Sequence, residues 1–304
     1  MGVSPFDTPP VVPLWRTALK RGAGGSIPHI AATARTLRGD PAAYAEVCGL
    51  PASPMLPVCF PDMLCRGLQL AVLTDPAFPV PLLGIVHVRQ RIEQRRAIAA
   101  NEPLSGHVWV EGHRPARRGG ELDMHTVVSN GEEALWHGVT TILSRDLPRL
   151  PQEPTQEPTQ EPTHEPGQNK ALKTDIVFQH QRSTAWTVPE DLGRRYGRVS
   201  GDVNPIHQYA WTAKLFGFKR AIAHGWWTLA RCLAEMDVSS DTWPGVLSVD
   251  ARFLSPVSLP STVWFASGPM DDTVDGVTGT TSGFALCSSG KLALTGTVTR
   301  PIAR

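Results

Sequence analysis

A proline repeat sets the first limit on how this chain can fold. Residues 151 to 166 read PQEPTQEPTQEPTHEP, with proline at every fourth position from Pro154 to Pro166. Each proline removes a backbone donor and clashes with a preceding helical turn, so neither a helix nor a central strand can run through the segment. The pattern predicts an extended, polyproline-like spacer. In a chain of 304 residues it leaves two halves of domain size. The expected division is a tail at 1–25, a first domain at 26–150, a linker at 151–172 and a second domain at 173–304.

The two halves have related plans. In the first, GDPAAYAEVCGL reads as a short helix with Asp40 as N-cap and Pro41 at the first helical position. FPDMLCRGLQLAVL follows, with Leu64, Leu68, Ala71 and Val72 at helical spacing. Then come strand-like runs: LGIVHVRQRI, SGHVWVEGH, ELDMHTVVS and ALWHGVTTIL. His137 and Gly138 sit inside the last of these and read as strand residues.

In the second half DIVFQHQRSTAW reads as a strand, and GWWTLARCLAEM puts Trp226, Leu229, Ala230 and Leu233 on one helical face. GVLSVDARFL, STVWFASG, GVTGTTSGFALC and KLALTGTVTR follow as alternating, Val- and Thr-rich strands. A buried helix followed by antiparallel strands, twice over, predicts an α+β fold in which a curved sheet wraps each helix.

Bulk properties exclude several classes. A formal net charge of +1 points away from nucleic acid. The five cysteines form no CxxC pair and read as reduced thiols. No apolar run approaches the ~20 residues of a membrane span, and the N-terminus lacks a basic stretch followed by an apolar one. The expectation is a cytoplasmic protein without a membrane span.

The chemistry concentrates in SGDVNPIH, residues 200 to 207. Gly, Asp, Asn and Pro suit a turn on backbone grounds alone. Pro205, however, stiffens the loop and restricts Asn204, so Asp202 and His207 can stand at a fixed separation around a water. A carboxylate and an imidazole so held can exchange protons with it, and the Asn204 amide can orient the water or the pair. AHGWWTLA follows, placing Gly225 in the first turn of the buried helix. Free N–H groups there are suited to a carbonyl oxygen that gains charge. Acid, base and oxyanion donor together describe adding or removing water beside a carbonyl.

YGRVSGDVNPIHQ, KLFGFKRAIAHGWW and VDARFLSPVSLPSTVWF, spanning about 196 to 265, resemble the MaoC-like (R)-specific enoyl-CoA hydratases, the hydratase 2 family. The whole chain is most similar to the double hot-dog (3R)-hydroxyacyl-thioester dehydratases, in which two helix-wrapped antiparallel sheets lie in one chain. The resemblance implies Asp202 and His207 as the catalytic pair, Asn204 as their organiser and the Gly225 backbone as donor to the thioester oxygen. It implies an acyl-CoA or acyl-carrier-protein thioester as substrate, no cofactor, and a first half that accommodates the acyl chain without taking part in catalysis. Monomer and homodimer are both compatible with it.

Other readings compete. Asp202, His207 and His224 are zinc-ligand types, but their spacing is no zinc signature, and the expectation is no metal. Ser200 lacks the elbow of a serine nucleophile. His224 reads as a packed, hydrogen-bonded support for the Gly225 turn and, with Lys219 and Arg220, as a candidate for substrate contact. Arg194, Arg195, Arg198 and Lys214 add to a basic rim that suits coenzyme A phosphates or an acidic carrier. Trp226 and Trp227 occupy the corner after His224 and Gly225, where they either narrow the pocket or pack behind the helix. A hot-dog thioesterase and a non-catalytic acyl-binding subunit remain the alternatives.

Overall fold

The structure, a computed structural model, describes residues 30–82, 84–116, 119–147, 182–238, 245–270 and 279–301. The expected tail and linker, and residues 175–181 of the expected strand, lie outside these.

The first helix starts as its sequence requires. Asp40 is extended and its carboxylate accepts from the N–H groups of Ala42 and Ala43, with Pro41 opening α1 (Pro41–Cys48). The apolar stretch after it is two helices, not one: α2 (Phe60–Leu64) and α3 (Arg66–Thr74) break at Cys65. Cys65 presses against Gly106, where an added Cβ would lie 2.8 Å from its sulfur.

Strand β1 (Ile30–Ala34) is followed, after the helices, by β2 (Val86–Gln94), β3 (Ser105–Ala116), β4 (Gly119–Asn130) and β5 (Glu133–Ser144). The second half runs β6 (Arg182–Val188), α4 (Leu192–Ser200), α5 (Pro205–Gln208), α6 (Ala210–Lys214) and α7 (Gly225–Glu235). It continues with β7 (Leu247–Phe253), β8 (Ser261–Pro269), β9 (Gly279–Ser288) and β10 (Lys291–Pro301). His137 and Gly138 are strand residues of β5, as read from the sequence.

All ten strands form one antiparallel sheet in the order β1-β3-β4-β5-β2-β7-β10-β9-β8-β6. Counted within its own half, each set of five has the order 1-3-4-5-2, and the two sets meet at their second strands. This is the double hot-dog fold. The seam is the β2–β7 ladder, from Arg89 opposite Arg252 to Gln94 opposite Leu247.

Helices of both halves pack on the same side of the seam. Tyr44 of α1, fully buried, lies 5.2 Å from the Phe60 ring and 5.9 Å from Tyr196 of α4. Trp227 of α7 donates its Nε1–H to the carbonyl of Val47 in α1. Burying a side chain of this size contributes roughly 1.5–3 kcal/mol, so these contacts bind the halves as well as fill the core. Among the described residues no helix is long and apolar enough to cross a membrane.

A β-bulge in β2 positions the site. Pairing with β5 shifts register between His87 and Arg89, and a bulge re-aims the side chains beside it. His87 therefore faces the helices, against Phe253 and Trp226. Arg89 points out of the other face and forms a two-pronged ion pair with Asp250.

Candidate active site

The loop after α4 is shaped by close packing. Gly201 caps α4 in the left-handed conformation, φ 72°. A Cβ on Gly193 would stand 1.7 Å from the His207 carbonyl oxygen, and one on Gly197 2.9 Å from that of Asp202. The glycines let α4 lie directly under the loop. The Ser200 hydroxyl accepts from the Asp202 N–H, and Asp202 Oδ1 accepts from the Asn204 N–H.

Asn204 shapes the loop through both its side chain and its backbone. Its side-chain oxygen accepts from the Ile206 N–H and caps α5, with Pro205 at the first position. It supports Asp202 through its backbone N–H and positions His207 by starting the helix that carries it. The amide oxygen is engaged in the cap.

His207 is 8% exposed, and its Nδ1 lies 2.7 Å from the Ile222 carbonyl. A carbonyl accepts only, so Nδ1 carries the proton and Nε2 presents a lone pair. His224 Nε2 likewise donates to the Asp202 carbonyl at 3.0 Å, and its Nδ1 is buried without a partner. The two rings stack at 3.7 Å. His224 thus supports the Asp202 backbone, while its own carbonyl accepts from Thr228 in the turn that Gly225 opens. Donor atoms of Asp202, His207 and His224 all lie within 4.8 Å of one another.

Gly225 opens α7 after His224 in extended conformation, so its N–H stands free at the helix start. Its Cα side is filled: an added Cβ would meet Phe253 Cε1 at 3.2 Å and His87 Nδ1 at 3.4 Å. The glycine serves this packing. Trp226 and Trp227 are both buried; Trp227 packs behind the helix, and Trp226 sits 5.9 Å from the His87 ring. Lys219 and Arg220 are exposed. Arg194 bonds the Gln208 carbonyl and covers the Tyr209 ring, which ties it to the loop.

Two residues of the first half reach the site that sequence reading overlooked. One is Arg66, at the start of α3, whose side chain is 15% exposed and pairs with buried Asp62 at 3.7 Å. The other is His87, beside Gly225. A charged residue within an apolar helical stretch, next to a residue that must face the sheet, was the available signal for Arg66. For His87 the strand alternation was misleading, because the bulge changes its phase.

Electrostatics follow from burial and this cation. Burial drives the Asp202 carboxyl up, but His224, the Arg66 guanidinium, His207 and the Asn204 N–H together hold it below the usual carboxylate range. Burial lowers His207, offset in part by Asp202 and the Ile222 carbonyl, and Arg66 lowers it further. Burial and neighbouring His207 push His224 down as well. His87 falls to about 4, mainly through burial. At neutral pH the site therefore holds a carboxylate, neutral imidazoles and a fixed guanidinium.

Comparison with known proteins adds to this. Residues 159–273 match the family model described as MaoC like domain. The 3-hydroxyacyl-thioester dehydratase X of Mycobacterium tuberculosis is 33% identical over 256 residues, covering 80% of this chain and 85% of that protein. A crystal structure of HtdX of Mycobacterium tuberculosis matches at TM-score 0.66 and 30% identity, over 88% of this chain and 98% of that one. A MaoC-like dehydratase from Phytophthora capsici, at 17% identity and TM-score 0.64, shares the fold over 93% of this chain and 99% of that one.

Proposed function

The chain belongs to the MaoC-like dehydratase family and is a hydro-lyase, and from that premise we propose that Asp202 and His207 carry the (R)-specific interconversion of trans-2-enoyl and (3R)-3-hydroxyacyl thioesters. The observation that supports this most is the pair's state: an ionised carboxylate and an imidazole with a bare Nε2, on residues of which a carboxylate oxygen and a ring nitrogen lie within 4.8 Å of each other.

In hydration, a water between Asp202 and His207 gives one proton to the pair while its oxygen bonds to C3. The pair returns one proton to C2, so the enzyme ends as it began. Negative charge that gathers on the thioester oxygen meets the free N–H of Gly225 at the positive end of α7. Dehydration runs these steps backwards. The substrate is an acyl thioester of fatty-acid metabolism carried by coenzyme A or by a carrier protein, and exposed Lys219 and Arg220 suit the phosphate of either. The first half, residues 26–150, widens the acyl cavity and also lends Arg66 and His87 to the second half, residues 173–304, across the seam.

The test is an assay with trans-2-enoyl-CoA of several chain lengths. It follows loss of the enoyl absorbance, free thiol and product configuration. Formation of the (3R) product without thiol release is the expected result. Thiol release without hydration would move the reading to a thioesterase.

A further inference from the structure

On the outer face of the first sheet, away from the helices, three strands carry a cluster that the reaction does not use. His125 of β4 and His137 of β5 meet with Nδ1 and Nε2 3.1 Å apart. Their ring centroids are 5.3 Å apart, so the nitrogens meet edge to edge and not face to face. On its other side, His125 Nε2 lies 3.1 Å from Glu111 Oε1. Glu111 is held in turn by the Trp109 Nε1–H, and the Trp109 ring stacks on His125 at 4.7 Å, 13° from parallel. Exposed Glu93 stands directly across from His137 in the β2–β5 ladder.

This arrangement fixes the tautomers. Glu111 accepts, so His125 carries its proton on Nε2 and presents a bare Nδ1. His137 Nε2–H then donates to it. A carboxylate that orients an imidazole so that its other nitrogen stays bare is the usual outer support of a metal-binding histidine. An ion ~2.0–2.1 Å from both nitrogens needs them only slightly farther apart than they stand. At a tetrahedral angle it would sit about 1.2 Å off the line joining them, so both rings must tilt towards it, on the side where Glu93 stands across from His137. For the ion to bind, His137 moves its proton from Nε2 to Nδ1, and no proton is lost overall. Imidazole pairs of this kind take copper and zinc.

We propose that His125 and His137, braced by Glu111, form a binding site for a divalent transition metal ion on the outer face of the first sheet. The reaction does not depend on this site.

The test is calorimetric titration of the full chain with zinc chloride and with copper chloride, with tryptophan fluorescence followed in parallel. The expected result is one saturable ion at this site, copper binding more tightly than zinc. Copper should quench fluorescence less in Trp109→Phe than in the wild type. His125→Gln and His137→Gln, which keep a hydrogen-bonding amide, should each weaken binding by more than tenfold, with the unfolding midpoint as a check on folding. Glu111→Gln should weaken it by roughly 10–100-fold. Asp202→Asn/His207→Ala, which removes the other histidine–carboxylate group, should leave binding unchanged. No saturable binding to the wild type would overturn the proposal. So would undiminished binding in both glutamine variants, or loss of binding in Asp202→Asn/His207→Ala instead.

Discussion

His207 and His224 stack ring on ring at 3.7 Å, and each donates one N–H to a backbone carbonyl, His207 to Ile222 and His224 to Asp202. The two bonds do different work. The first turns the bare Nε2 of His207 outward as a base; the second holds the Asp202 backbone, and so its carboxylate, beside that base. His224 is therefore a positioning residue in this reading, acting through Asp202.

Replacing either member of the pair removes proton transfer without emptying the pocket. Asp202→Asn and His207→Ala are each expected to lower kcat by roughly 10²–10⁴-fold, with KM changed far less. Steady-state kinetics on an enoyl thioester checks this. A drop in kcat/KM carried by KM alone would contradict the assigned roles.

Arg66 predicts a shift in pH dependence. The active form needs Asp202 ionised and His207 neutral, and both groups lie below their ordinary values. The acid limb of the rate profile should therefore fall below the ordinary histidine range, leaving a plateau through pH 7. The guanidinium favours the carboxylate and disfavours the imidazolium, so it lowers both. In Arg66→Gln both rise, and the acid limb should move to higher pH. A profile that keeps its shape while only its height falls would assign Arg66 a packing role.

Gly193→Ala puts a Cβ where the His207 carbonyl already stands, 1.7 Å away. Backbone cannot yield as a side-chain tip can, so α4 and the catalytic loop must part. Overpacking of this sort costs about 1–3 kcal/mol. The expected outcome is a lower unfolding midpoint together with a large loss of kcat, seen by thermal unfolding and kinetics on the same sample. Wild-type kcat in this variant would show that the loop's position is not critical.

Glu102 anchors the far end of the first sheet. It receives Arg96, Asn130 and the Ala99 N–H, and its carboxyl falls to about 2, led by the Arg96 bond. A carboxyl depressed on folding contributes stability that is full above its unfolded value and is lost as pH falls towards about 2. Glu102→Gln should cost about 1–2 kcal/mol at neutral pH. Wild type and variant should converge between about pH 4.5 and 2, which denaturant titrations across that range would test.

The shape of the 200–207 loop was legible because its signals are local. Asp202, Pro205 and His207 fall within six residues, the Asn204 cap and Pro205 start α5, and Gly225 opens α7. The helices that begin with Asp40–Pro41 and His224–Gly225 were readable for the same reason, as were the alternating strands. What the Asn204 amide does was not legible, since a cap and a water ligand use the same oxygen and only the placed Ile206 N–H decides between them. The break at Cys65 left no mark on helical spacing.

Taken alone, the residue order marked α1, α7, the alternating strands and the turn-forming residues of the 200–207 loop, because caps, periodicity and proline act over a few residues; β1, α4, α5 and α6 were not read from it. Tertiary structure decided which side chains of the first half reach that loop. A one-residue bulge turns His87 inward and Arg89 outward, and the β2–β7 seam brings His87 to Gly225. Packing of the helices across the same seam brings the Arg66 charge to Asp202. Such contacts depend on register and on packing between residues more than a hundred positions apart, and no local pattern encodes them.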